Sequence, residues 1–284
     1  VASALKKQNK ADLKSWRQIA GGDLLTQAGL AAQAVSVETL DDDTPEHLAA
    51  KRQAWATAQA QAQRSSFARL ADTYVAAFLA PKLADAGDTV PLSGYLWGVL
   101  SGQAPKTAVE DAAQALCRQH SVFHWWLAFP HVASKGGFSV MLGNPPWEQL
   151  QLNEEEYFAP RAPSVAALAG DKRKKAIADL EQTAPWLWDQ FHAAKRQYDA
   201  ANLFFRAGGR FPLAAFGKLN TYALFSEVFL QASSLRGRAG FIVPTGIATD
   251  DSTKAYFSHV ASGGRLVSLY DFENSDAVFP AVHR

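Results

Sequence analysis

From Phe138 to Phe272 the apolar positions alternate between two rhythms, and the changes fall where glycine or proline stands. Phe138 to Leu142 is a short apolar run in which Val140 and Leu142 suit a buried β-strand. It stops at Asn144-Pro145-Pro146, because proline cannot donate to a ladder. A helix is expected from Asn220 to Ser234, with Asn220 as N-cap and Tyr222, Phe225, Phe229 and Ala232 on its buried face. Ala239 to Val243 then reads as a strand ended by Pro244, Asp250-Asp251-Ser252 caps a helix through Val260, and Arg265 to Phe272 reads as a strand again. Strand, insertion, helix, strand, helix, strand is the rhythm of a doubly wound α/β sheet with right-handed crossovers.

Upstream the pattern is helical. Ala2 to Ile19 places Leu5, Leu13, Trp16 and Ile19 on one loose face, and Gly21-Gly22 stops it. Thr44-Pro45 is an N-cap followed by proline at the first helical position. From Glu46 a helix, or a pair of helices, runs to Leu79, with Phe67, Leu70, Tyr74 and Phe78 on one stripe expected to be a packing face. Two shorter helices follow, Leu92 to Leu100 and Thr107 to Gln119. The expected organisation is a helical segment over 1–121 and a sheet-bearing half over 122–284. An insertion at about 149–217 interrupts the second half, with helices from about Ser164 to Tyr198 broken at Pro185.

Composition narrows the classes. The 284 residues, 48% hydrophobic, suffice for a sizeable core. Lys+Arg 28 against Asp+Glu 27 leaves no whole-molecule basic field, so nucleic acid would have to be held by local patches. One cysteine, Cys117, excludes an internal disulfide framework and a cysteine-rich zinc site, and fits a reducing, cytoplasmic setting. No apolar run is long enough to span a bilayer. The chain begins at Val1 and has its single methionine at Met141, which is expected of a piece of a longer polypeptide.

Candidate chemistry centres on Asn144-Pro145-Pro146-Trp147. At the carboxyl end of a strand in an open α/β sheet, where ligands bind, an amide side chain and two rigid carbonyls stand beside a flat indole. A planar ring with an amine, such as a nucleobase, suits that set: amine to the acceptors, π-face to Trp147. The competing reading is a strand-ending turn with a core tryptophan. Asp41-Asp42-Asp43 could ligate a divalent cation or form a solvated loop, and the lack of spaced partner ligands favours the loop. His124, beside Trp125 and Trp126, has no second histidine at helical metal spacing and reads as structural. The quartet Lys172-Arg173-Lys174-Lys175 is either a phosphate-contacting patch or a solvated helix face salted with Asp171 and Asp179.

The segment Gly137-Phe138-Ser139-Val140-Met141-Leu142-Gly143-Asn144-Pro145-Pro146-Trp147-Glu148 resembles the catalytic motif of N6-adenine DNA methyltransferases. The likeness is to the large enzymes of type IIG restriction-modification and their phage-defence relatives. Lys218 to Phe225, Gly240 to Asp250, and Tyr270 to Asn274 with Phe279-Pro280 resemble the same family in the same order. The resemblance implies part of a Rossmann-like class I methyltransferase sheet that transfers a methyl group from S-adenosylmethionine to N6 of an adenine flipped from double-stranded DNA. It also implies that the Asn144 side-chain oxygen and the Pro145 carbonyl accept the amine protons, Pro146 completes the motif, and Trp147, with Phe279, contacts the flipped base. No metal is required.

The family's glycine-rich cofactor loop precedes this motif, and no comparable loop after a strand stands before Phe138; Gly21-Gly22-Asp23 does not qualify. Ser139 replaces a common aspartate. The expectation is therefore a catalytic half-domain, inactive in isolation, partnered by upstream and downstream domains of the same polypeptide. Glutamine-N5 protein methyltransferases share the Asn-Pro-Pro-aromatic motif, although the long insertion argues against them. A DNA-binding or scaffolding module with a degenerate sheet is the non-enzymatic alternative.

Overall fold

A computed structural model describes residues 3–5, 7–8, 11, 28–82 and 89–275. The expected helix Ala2–Ile19, the Gly21-Gly22-Asp23 stretch and Phe279-Pro280 lie largely or wholly outside the described residues. The helical first half comprises α1 (Ala28–Glu38), α2 (Pro45–Arg64), α3 (Ser66–Leu79), α4 (Ser93–Leu100) and α5 (Thr107–Gln119). Two short turns, α6 (Trp125–Ala128) and α7 (Pro130–Ser134), lead into β1 (Phe138–Gly143). The insertion holds α8 (Glu154–Phe158), α9 (Pro163–Ala166), α10 (Gly170–Thr183) and α11 (Pro185–Ala207). Then come α12 (Thr221–Ala232), β2 (Ser233–Phe241), α13 (Gly246–Thr249) and α14 (Lys254–Ser262).

Local chemistry sets these boundaries. Thr44 caps α2 by accepting from the His47 amide at 3.1 Å. The long Ala/Gln-rich run divides at Ser65, whose extended backbone ends α2 and whose hydroxyl caps α3 through the Ala68 amide at 3.2 Å. Pro185 opens α11 at a position where a missing N–H costs nothing.

The expected stripe on α3 is rotated. Ala68, Thr73, Val75, Ala76 and Leu79 are buried, with Val75 and Leu79 packed against Cys117 of α5. Tyr74 and Phe78 instead pack edge-on towards Phe204 of α11. The buried side of α3 is otherwise small, with alanines and a threonine whose hydroxyl donates to the Arg69 carbonyl at 2.6 Å. The aromatic side of α3 thereby braces the insertion, whose α11 also ties down the chain after the motif: Asn202 donates to the Leu150 carbonyl at 2.6 Å.

The sheet is smaller than the sequence pattern suggests. Among the described residues it has two strands, β1 and β2, paired in parallel with Met141 opposite Ala239 and Gly143 opposite Phe241. β2 starts earlier than expected, at Ser233, directly from the end of α12, and an irregularity follows the Phe138–Ser233 pair. Arg265–Phe272 is not a strand: it has no regular secondary structure and is exposed, with Phe272 87% accessible. Thr245 holds Asp271 at 2.9 Å, but no ladder forms. The molecule is a mixed α/β protein, mainly helical.

Met141 points into a cluster with Phe229 and Ala232 of α12, joined by Trp125, Trp126, Phe138 and Phe241. The opposite face of the pair carries Val140 (60% accessible), Leu142 (79%) and Ile242 (64%), and the described residues leave it uncovered. The insertion has its own core around Phe158, Ile177, Leu187 and Phe191.

Gly137 is required where the chain turns into β1. Its φ is 122°, and a Cβ there would lie 2.5 Å from the Ala232 carbonyl oxygen. Replacing Gly137 with alanine should destabilise the fold by about 2–3 kcal/mol, combining a disfavoured backbone conformation with a backbone clash. Thermal unfolding checks this.

Candidate active site

The Asn144-Pro145-Pro146-Trp147 loop leaves β1 at its carboxyl end, beside the end of β2. Gly143 makes the last sheet contact, its carbonyl accepting from the Ile242 amide at 3.2 Å. A side chain at 143 would meet the Phe229 ring at 3.0 Å, so glycine lets the strand end close against α12.

Two tethers then fix the loop. The Trp147 indole Nε1 donates to the Ile242 carbonyl at 3.3 Å, which holds the ring at the end of β2 with 37% of the residue accessible. The Thr221 hydroxyl, at the first turn of α12, donates to the Pro146 carbonyl at 2.7 Å and accepts from the Glu148 amide at 2.9 Å. The Thr221 amide returns a bond to the Glu148 carbonyl at 2.9 Å, and Leu150 donates to Leu219 at 3.0 Å. Asn220 caps the same helix through the Tyr222 amide at 3.2 Å, so cap and loop are built together.

The tethers leave two acceptors uncommitted. Among the described residues, neither the Asn144 side chain nor the Pro145 carbonyl has an internal hydrogen-bond partner, whereas the neighbouring Pro146 carbonyl is occupied. Asn144 is exposed and Pro145 buried. The result is a tethered loop whose Asn144 amide and Pro145 carbonyl no described residue occupies, next to a fixed indole, a set of groups suited to an amine on a planar ring.

A cleft of about 550 Å³ opens next to this loop, lined by Gln149, Lys218, Asn220, Tyr222, Asp250 and Asp251. Burial raises the Tyr222 phenol above its ordinary range, and the neighbouring Asp250 adds to the effect. Tyr222 thus stays a neutral hydroxyl on the cleft wall.

Elsewhere the candidates separate. Arg173 is committed to Glu155 at 3.0 Å and to the Ala166 carbonyl at 2.7 Å, joining α10 to α8 and α9. Lys174 pairs with Asp171 at 3.3 Å, and Lys172 and Lys175 are exposed. No hydrogen bond or ion pair among the described residues links this quartet to the motif. His124 bonds Asp72 at 2.8 Å and fastens the turn before α6 to α3. Asp42 pairs with Lys51 at 2.9 Å and Asp43 with His47 at 2.6 Å. Cys117 is buried against the Asp72 carbonyl, and burial, with Asp72 adding to it, raises its thiol well above the usual range.

Residues 96–211 match the family model described as Eco57I restriction-modification methylase. That segment is of the restriction-modification DNA methylase type. The match takes in β1, the Asn144–Trp147 loop and most of the insertion, and ends before α12 and β2. Neither a curated protein nor a solved structure matches the chain.

Thr221 was not singled out by sequence reasoning, although it stands in one of the family-like stretches. A threonine one position inside a helix already capped by Asn220 has a hydroxyl that the cap does not need, and only the three-dimensional structure shows where it goes. No helix of the described residues is long and apolar enough to cross a membrane.

Proposed function

We propose that this methylase-type chain carries the acceptor site for methyl transfer from S-adenosylmethionine to N6 of an adenine flipped out of double-stranded DNA, within a restriction-modification or phage-defence enzyme. The observation that carries the reading is the pair of uncommitted acceptors, Asn144 and the Pro145 carbonyl, on a loop whose other groups are tied down. An exocyclic amine is a poor nucleophile because its lone pair is delocalised into the ring. Two acceptors that take its protons draw the nitrogen towards tetrahedral geometry and stabilise charge that grows only in the transition state. The exposed face of Trp147 replaces part of the stacking that the base loses on leaving the duplex.

S-adenosylmethionine supplies the methyl group in this reading. In this reading the Asn144–Trp147 loop forms the acceptor side of the transfer. The two-stranded sheet and its uncovered apolar face are compatible with part of a larger doubly wound sheet, since parallel sheets are normally covered on both faces. Lys172 and Lys175 remain the members of the basic quartet free to meet phosphate.

The test is to supply the protein carrying this chain with methyl-labelled S-adenosylmethionine and either duplex DNA or a protein extract. Label in DNA supports the reading. Label confined to protein glutamine would favour the amide-methylating alternative, and none in either would favour a binding module.

A further inference from the structure

We infer that Thr221 is a positioning residue for the amine-binding loop, selecting which of its two prolyl carbonyls faces the substrate. This rests on the adenine-methylation reading above. The Thr221 hydroxyl has one proton, and its shortest acceptor is the Pro146 carbonyl at 2.7 Å; the Glu148 carbonyl lies at 3.2 Å. Its lone pair receives the Glu148 amide at 2.9 Å. One side chain therefore grips the loop on both sides of Trp147, while the backbone pair Thr221–Glu148 adds a third point of attachment at 2.9 Å.

The consequence is a division of labour between adjacent carbonyls. With the Pro146 carbonyl saturated by Thr221, the Pro145 carbonyl is left as the backbone acceptor beside Asn144. Thr221 also transmits the position of α12, which is buried along most of its length, to a loop whose hydrogen bonds to the end of the strand pair, among the described residues, are those of Gly143 and Trp147 with Ile242. The hydroxyl does not touch the reacting nitrogen. It keeps the two acceptors in register with it, and misplacing such groups by about 1 Å can cost on the order of 100-fold in rate.

Thr221→Val keeps the shape and removes the hydroxyl; Thr221→Ser keeps the hydroxyl. In the protein carrying this chain, Thr221→Val should lower kcat by about 10- to 100-fold with little change in KM for DNA, and Thr221→Ser should restore most of it. Hydrogen exchange over residues 147–150 should accelerate in the valine variant only. Unchanged kcat in Thr221→Val overturns the inference, as does an equal loss in both variants. If the wild type methylates no adenine, the functional reading fails separately, and exchange then judges the clamp: unaltered exchange at Glu148 in Thr221→Val overturns it.

Discussion

Replacing Asn144 with alanine should reduce methyl transfer by about 100- to 1000-fold while leaving thermal stability nearly unchanged. The rate effect follows from removing one of two acceptors that act on developing charge, a loss of the size seen when a preorganised donor or acceptor is deleted. The stability expectation is independent of it. Asn144 is exposed, and among the described residues its side chain holds nothing inside the protein, so no buried partner is orphaned. Asn144→Gln should fall as well, because the longer side chain carries its oxygen past the position that the rigid prolines define. Single-turnover rates, with melting curves on the same samples, separate the two effects. A variant that unfolds would show that the loop serves the fold instead of the chemistry.

The largest stability effect is expected at Glu227, a fully buried glutamate on α12. Its carboxylate accepts from the Leu213 amide at 3.2 Å, the Ala214 amide at 2.8 Å and the Gln231 side chain at 3.2 Å, fastening the chain between α11 and α12. Glu227→Ala orphans one buried and one half-buried amide, each worth roughly 1–3 kcal/mol, so a loss of about 3 kcal/mol and a fall in Tm of roughly 5–10 °C are expected.

Burial raises the pKa of Glu227 despite the bonds from Ala214, Leu213 and Gln231 that oppose it. The folded state then holds its proton at a higher pH than the unfolded chain does. This group's contribution is fully present below the unfolded pKa and is lost as pH rises through the raised folded value. Compared with Glu227→Gln, the wild type should therefore gain stability as pH falls from about 7 to about 4.5, which parallel melting curves over that range would show.

Much of this was legible in the sequence because it was local. The strand ending at Asn144, the caps at Thr44 and Asn220 and the helix start at Pro185 each depend on residues within a few positions of one another. What was misread depended on partners far along the chain. Arg265–Phe272 has strand-like residues, but a strand exists only if an edge receives it, and among the described residues its bonds run to the Val260 carbonyl and to Thr245, not to a neighbouring strand. The aromatic stripe on α3 does pack, with Phe78 meeting Phe204 of α11, but α3 has a second packed side, where Val75 and Leu79 meet Cys117 of α5. Arg173 stands in a run open to two readings, a phosphate patch or a salted helix face, and its partner Glu155 lies 18 positions earlier. The candidate site divides in the same way. Asn144, Pro145 and Trp147 stood out as residue types, while the Thr221 clamp and the Ile242 tether join the loop to residues 75 and 95 positions away.

If Asn144 and the Pro145 carbonyl receive the amine of adenine, the identity of the methylated nucleoside shows it. Unmethylated duplex DNA is incubated with the protein carrying this chain and methyl-labelled S-adenosylmethionine, hydrolysed to nucleosides and resolved by mass spectrometry. Label is expected in N6-methyldeoxyadenosine and should be lost with Asn144→Ala. Label confined to a methylated cytosine, or undiminished in Asn144→Ala, would contradict it.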